Sequence, residues 1–226
     1  MHSKLEVAKR RESKRTLFRL ARITEFSALF VLIPFLYYLR LFPIRVLLFL
    51  WILGGITALY LWRHPKVKMR DLLRWDVPKE KLNFVLKRFA ILAVLAALAV
   101  YLIAPDHFMD FPIHRTQVWL VVLIFYPIFS VIPQSLIYRI FFERRYRVLF
   151  SKPWYFVIGG AITFSFMHLI YENWVAILMT FVGGIFFLKT YLDSRSFLLS
   201  CLEHALYGCL MFTIGLGRFF YLGSGS

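Results

Sequence analysis

Seven apolar segments recur along this 226-residue chain, at about residues 24–39, 46–62, 89–104, 117–138, 154–171, 174–188 and 197–217. The charge between them alternates. Counted from the N-terminus, the stretches outside these segments carry 8, 2, 9, 1, 5, 0, 2 and 1 Lys or Arg. Alternate stretches therefore hold 24 and 4 of the 28 basic residues. A crossing helix needs about 20 apolar residues, and loops on the cytoplasmic side collect Lys and Arg. The pattern predicts an all-α, polytopic transmembrane bundle of about seven spans in a bacterial-type cytoplasmic (inner) membrane. It puts the N-terminus in the cytoplasm and the C-terminus outside.

Composition closes the other routes. Hydrophobic residues make up 60% of the chain and charged residues 18%, against about 45–50% and 25% in soluble domains. So much apolar surface excludes both an ordinary soluble domain and a disordered chain. The net charge of +16 first suggests nucleic acid. Its confinement to alternate loops makes it a topology signal instead, suited to anionic lipid headgroups. The expected partner is thus the lipid bilayer and not nucleic acid. No secretory signal peptide is expected, because the first apolar segment lies behind some 23 polar, basic residues. Cys201 and Cys209 fall eight apart on one predicted helix, about 12 Å, which is beyond disulfide reach.

Four regions follow. Residues 1–23 form a basic cytoplasmic arm, and residues 24–116 hold the N-terminal transmembrane helices with an amphipathic loop. Residues 117–222 form a chemically distinct core, and 223–226 (Gly-Ser-Gly-Ser) read as an appended linker. In the loop 63–88, Leu72, Leu73, Trp75, Leu82, Phe84, Val85 and Leu86 interleave with Lys and Arg. That pattern predicts a pair of interfacial helices on the cytoplasmic face, broken at Pro78. Pro43 is expected in a tight turn between the first two spans. The pairs Gly54-Gly55, Gly159-Gly160 and Gly183-Gly184 predict close helix packing.

The N-terminal half is chemically bland and the C-terminal half is not. It places Gln134, Ser135, Arg139, His168, Glu203 and His204 in or beside apolar helices. Ionisable groups in hydrocarbon are costly, so each is a candidate functional residue. Ser135 and Arg139 are four apart and share a helix face, and Pro133 can kink that helix. Alone, Arg139 near a segment end also fits a side chain snorkelling to headgroups. Together the segments predict a polar pocket inside the bilayer. Two imidazoles and a carboxylate could activate water for hydrolysis. They could instead bind Zn²⁺ or relay protons in a small transporter. Neither a repeat nor paired broken helices supports a transporter, and no HExxH motif supports a zinc protease.

Order and spacing resemble a known family. Gln134–Arg139 is similar to the EExxxR motif of the CPBP (Abi) family of intramembrane proteases, which includes CAAX prenyl endoproteases and bacteriocin-processing enzymes. Phe164–His168 is similar to its FxxxH motif, and His204–Gly208 to its third motif, a His followed four residues on by Asn. The resemblance covers roughly 117–217. It implies a glutamic-type intramembrane endopeptidase that needs no cofactor. The substrates implied are membrane-anchored polypeptides with prenylated C-termini, leader peptides or sorting signals. The histidines would assist a catalytic Glu around the attacked bond, and Arg139 would hold the first motif in place. Phe164, Tyr171, Asn173, Glu203 and Gly208 are the supporting candidates.

The departures are as informative. Both acidic positions of the first motif are replaced, by Gln134 and Ser135, and the third-motif Asn is Gly208. Bacterial members often read Pro-Gln-Glu, so Ser135 takes the place of the essential Glu. An unactivated hydroxyl is a poor base. The chain is then expected to be a disabled protease or a pseudoprotease that binds transmembrane segments, unless Glu203 substitutes. With straight spans, His168 lies about 21 Å from the cytoplasmic side and His204 about 10 Å. Gln134 lies near that side. Convergence therefore requires tilt, a kink at Pro133 or an interhelical cavity.

Overall fold

The computed structural model describes residues 2–42, 45–64, 67, 72, 73 and 75–220. Pro43 and the Gly-Ser tail lie outside the described residues. Helix dominates, and no strand occurs among the described residues. We number seven principal helices. α1 runs over His2–Ser27 and continues through a π-helical turn (Ala28–Leu32) into Ile33–Tyr38. α2 is Val46–Arg63, α3 Lys79–Ile103, α4 Thr116–Leu149, α5 Pro153–Tyr171, α6 Trp174–Ser194 and α7 Phe197–Thr213.

The first six are long and apolar enough to cross a membrane. α7 has 17 residues, about 26 Å at 1.5 Å per residue, slightly short of a hydrocarbon core about 30 Å thick. The chain is thus a polytopic helical bundle, with six full-length candidate spans and one short apolar helix. Helix α3 shows its membrane character most plainly. Ile91, Val94, Leu98 and Leu102 stand exposed, which bilayer lipid rather than water would favour.

Two boundaries differ from the sequence expectation. Residues 79–88 do not form a separate interfacial helix but are the first turns of α3, which starts at Lys79 after Pro78. Proline fixes its own φ and suits the position just before a helix, so it punctuates here without a second break. Of the proposed amphipathic loop, 65, 66, 68–71 and 74 lie outside the described residues. Helix α4 runs 34 residues, well past the expected end at residue 138. The charges Glu143 and Arg145 do not stop it because each finds a partner. Arg145 grips Glu25 of α1 with two bonds of 2.7 Å, and Arg195, after α6, pairs with Glu143.

These pairs also report on topology. Arg145–Glu25, Arg195–Glu143 and Arg88–Glu203 all lie in the half of the bundle that the charge count places on the basic side. Arg40–Glu172, at 3.0 Å, joins helix ends on the other side. Beneath the basic end lies an aromatic core. Phe30 packs edge-on against Tyr138, Phe142 and Tyr146, each at 5.5 Å between centroids. Such pairs add about 0.5–1.5 kcal/mol beyond their buried area.

The glycines allow close approach at selected points only. A side chain at Gly54 would meet Pro133 of α4, and one at Gly184 would meet the backbone of Ala161 on α5. Gly55 faces open space. Cys201 and Cys209 are both free.

Candidate active site

Helix α4 builds the centre of the site. Pro127 and Pro133 interrupt regular bonding, and two π-helical turns, Pro127–Val131 and Leu136–Phe141, flank the Ile132–Ser135 turn. Because α4 continues to Leu149, Gln134 lies near its middle rather than at an end. That removes most of the expected mismatch in depth. The remainder is bridged by Phe164, whose ring lies 4.9 Å from the His168 ring and 5.6 Å from the His204 ring.

The two neighbours that replace the acidic pair face different ways. Ser135 is fully buried and its Oγ accepts a 2.8 Å bond from Arg139 Nη1. Gln134 instead lines a cavity of about 960 Å³ together with His168, Tyr171, His204 and Gly208. Its Nε2 donates to Ser130 Oγ at 2.7 Å, while its Oε1 is buried without a partner. Ser135 is not among the residues that line this cavity.

Arg139 does not snorkel. It is 2% exposed and is the largest fully buried side chain among the described residues. Its guanidinium stacks over Phe187 at 5.2 Å and Phe164 at 5.6 Å. Nη2 stands 3.3 Å from His204 Nδ1. A guanidinium can only donate, so Nδ1 is the acceptor, and a neutral His204 carries its proton on Nε2. That Nε2 faces the Tyr126 hydroxyl at 3.3 Å. The His204 ring stacks on Phe187 at 4.5 Å. In His168 the pattern reverses. Nδ1 lies 2.7 Å from the Phe164 carbonyl and must donate to it, which leaves Nε2 as an acceptor. One imidazole is thus set to receive a proton and the other to donate a hydrogen bond.

The supporting candidates divide. Phe164 and Tyr171 line the cavity. Asn173 does not: its Oδ1 accepts from Ala176 N at 2.8 Å, and its Nδ2 donates to the carbonyls of Tyr171 and Phe219. It caps α6 and ties the last described turn, Leu216–Phe220, to it. Glu203, one position from His204, turns away from the cavity. It is fully buried and bonds Arg88 of α3, whose guanidinium stacks on Phe186 at 4.5 Å. Gly208 lines the cavity, but a side chain there would collide with the Tyr126 ring and hydroxyl. Tyr126 occupies the space that an Asn at 208 would need. The sequence reading missed Tyr126, whose only sequence signal is a hydroxyl on an apolar helix about two turns before Gln134.

Most of the remaining wall is apolar, from α3 (Leu92, Leu95, Ala96), α4 (Val121, Phe125) and α6 (Met179, Val182), with the hydroxyl-bearing Tyr126, Ser130, Thr180 and Tyr207 also on it. No acidic side chain is among its lining residues. Both ring nitrogens of His204 are engaged, and no group of three His, Cys, Asp or Glu among the described residues could hold a metal ion.

Residues 116–210 match the model of the family described as type II CAAX prenyl endopeptidase, Rce1-like. The match bears out the resemblance read from the three motifs and coincides with helices α4 to α7. No curated protein and no solved structure gives a significant match.

Proposed function

We propose that this chain is an intramembrane peptidase scaffold of the CAAX endopeptidase type. It receives membrane-anchored polypeptides in the large cavity, and in its present form it holds them with little or no hydrolysis. The observation that supports this is the composition of the polar end of the cavity. It contains Gln134, His168 and His204 but no carboxylate. A neutral amide cannot take a proton from water. If His168 took it, the imidazolium would form in an apolar cavity with no counter-ion, at a cost of several kcal/mol.

The two replaced positions face different ways, which supports separate tasks for them. A carboxylate at 134 would face the cavity and act as the base. A carboxylate at 135 would pair with Arg139 and position it, as the Ser135 hydroxyl does weakly now. This reading moves the expected base from Ser135 to Gln134. It leaves Glu203 out, because its side chain is committed to Arg88.

The test compares the chain with Gln134→Glu, Ser135→Glu and the double variant in cells, with membrane-protein termini mapped by mass spectrometry. New termini are expected with Gln134→Glu and more with the double variant. Termini produced by Ser135→Glu alone would overturn the assignment of position 134. No new termini with the double variant would overturn the peptidase scaffold.

A further inference from the structure

Among the described residues, four buried side-chain atoms lack a hydrogen-bond partner, and three of them belong to one cluster: Arg88 Nε, Glu203 Oε2 and the Tyr207 hydroxyl. The cluster joins α3 to α7. Arg88 Nη2 donates to Glu203 Oε1 and to Thr190 Oγ1. A guanidinium and a carboxylate frequently dock through two parallel bonds. This pair makes one, which leaves Nε and Oε2 over. Tyr207 lies one turn beyond Glu203 on α7, and its hydroxyl stands close to Arg88 without completing a hydrogen bond.

We infer that this cluster binds an ordered water molecule and is the inlet by which single waters pass from the basic face of the bundle to the large cavity. The chemistry of the leftover atoms selects water. They are a donor, an acceptor and a hydroxyl that serves as either. An anion placed there would meet Glu203, and a cation would meet Arg88. A small neutral molecule that both donates and accepts suits all three, and three bonds are what a buried water typically makes. The walls are aromatic. Phe84 and Phe186 stack on the Arg88 guanidinium at 5.0 and 4.5 Å, and Phe89 packs on Tyr207 at 5.3 Å.

Position makes the site an inlet. The Arg88 side chain is 16% exposed and Glu203 is wholly buried, while Tyr207 lines the large cavity beside Phe186. Glu203 and Tyr207 lie about 9 and 15 Å along α7 from its start at Phe197. The polar atoms thus step inward from the side rich in Lys and Arg and end on the cavity wall. One water satisfies them without hydrating the ion pair as bulk solvent would. The inference needs the cavity but no assignment of the group that attacks a peptide bond, so it is tested separately from the proposed function.

The experiment is radiolytic hydroxyl-radical footprinting of the full chain in nanodiscs, with rapid mixing into oxygen-18 water. Radicals formed from a bound water oxidise the side chain beside it, and the isotope in the product shows whether that water exchanged with bulk. Tyr207 is expected to be oxidised at least about 5-fold faster than Tyr146, which is fully buried and bonded to Glu25. The Tyr207 product should carry oxygen-18. The paired variant Arg88→Met/Glu203→Leu should lower the Tyr207 rate about 5-fold or more, because an apolar pocket stays dry, with Tyr146 still protected. Arg88→Lys keeps a cation for Glu203 but has no Nε–H. It should lower the rate as well, and it carries the test if the paired variant does not fold.

A Tyr207 as protected as Tyr146 would overturn the inference. A Tyr207 rate unchanged in the variants would overturn it too, since the water there would then arrive through the cavity and not past Arg88 and Glu203. Oxidation of Tyr207 without oxygen-18 would overturn the inlet, because it would mean a water sealed inside the bundle. Each of these results leaves the assignment of position 134 as it stands.

Discussion

The buried pair between Arg88 and Glu203 offers a direct measure of how the bundle treats charge. Glu203 is fully buried and the Arg88 side chain is 16% exposed. Arg88 also donates to Thr190 Oγ1 at 3.0 Å, so one guanidinium links α3, α6 and α7. Removing either partner strands the other. Breaking a buried pair in this way costs about 3–5 kcal/mol, whereas replacing both members with apolar groups of similar volume is often neutral or stabilising. Arg88→Met and Glu203→Leu should therefore each lower stability by about 3 kcal/mol or more, about 150-fold in the folded-to-unfolded ratio. The double variant should recover most of that loss. The coupling from the four proteins should then approach the sum of the two single costs. SDS-titrated unfolding in mixed micelles, followed by tryptophan fluorescence, reads all four. Two single losses below about 1 kcal/mol that simply add would refute the reasoning, because they would mean that water or headgroups already solvate both charges. The same proteins check the site assignment. Glu203→Leu, with Arg88→Met beside it, should still bind an S-farnesylated Cys-Val-Ile-Met peptide, a membrane-anchored probe of the kind proposed above.

Further outcomes follow from the same geometry. Gly208→Asn should destabilise the chain by about 1–3 kcal/mol through overpacking against Tyr126, and Tyr126→Ala should rescue it in the same unfolding assay. Gly184→Leu should prevent stable expression because it would drive into the Ala161 backbone, while Gly55→Leu should be silent. In a Gln134→Glu/Ser135→Glu background, His168→Ala and His204→Ala should each abolish cleavage with folding retained; near-normal activity in either would remove that histidine from the mechanism. Arg139→Lys in that background should not restore full activity, since a single ammonium cannot reach both position 135 and His204 as the planar fork does.

How far the sequence revealed this arrangement depended on the kind of signal. Apolar run length and the alternation of Lys and Arg are local properties, and they located the helices. The C-terminal end of α4 and the start of α3 differ from the sequence expectation for one reason. Charged residues read as a boundary unless their partners are known, and Glu25, the partner of Arg145, lies 120 positions away. The three motifs identified His168, His204 and Arg139. They could not show which of Gln134 and Ser135 faces the cavity. Adjacent helix positions point about 100° apart, and only the packing of α4 decides the outcome. Glu203 looked like a catalytic neighbour of His204 for the same reason, until its side chain was seen to lie with Arg88.

The placement of the remaining carboxylates bears on what the chain can do. Among the described residues, the three acidic side chains most deeply held in the bundle are Glu25, Glu143 and Glu203, and each is paired to an arginine. Such pairing is how a membrane helix tolerates charge. A cavity carboxylate is different, because it must stay available to water and cannot be neutralised by a tight partner. A catalytic Glu is therefore a standing cost to stability. An amide at 134 removes that cost while keeping the shape and part of the hydrogen bonding. The cavity, both imidazoles and the arginine brace persist without it. A wholly buried Arg139 is costly to hold, and that cost is in line with the polypeptide site proposed above. Stability supplies the check. Gln134→Glu should lower the resistance of the empty chain to unfolding, and the S-farnesylated Cys-Val-Ile-Met peptide should restore part of it. A Gln134→Glu chain as stable as the parent would mean that water already fills the polar end of the cavity, and the argument from an unscreened charge would fall.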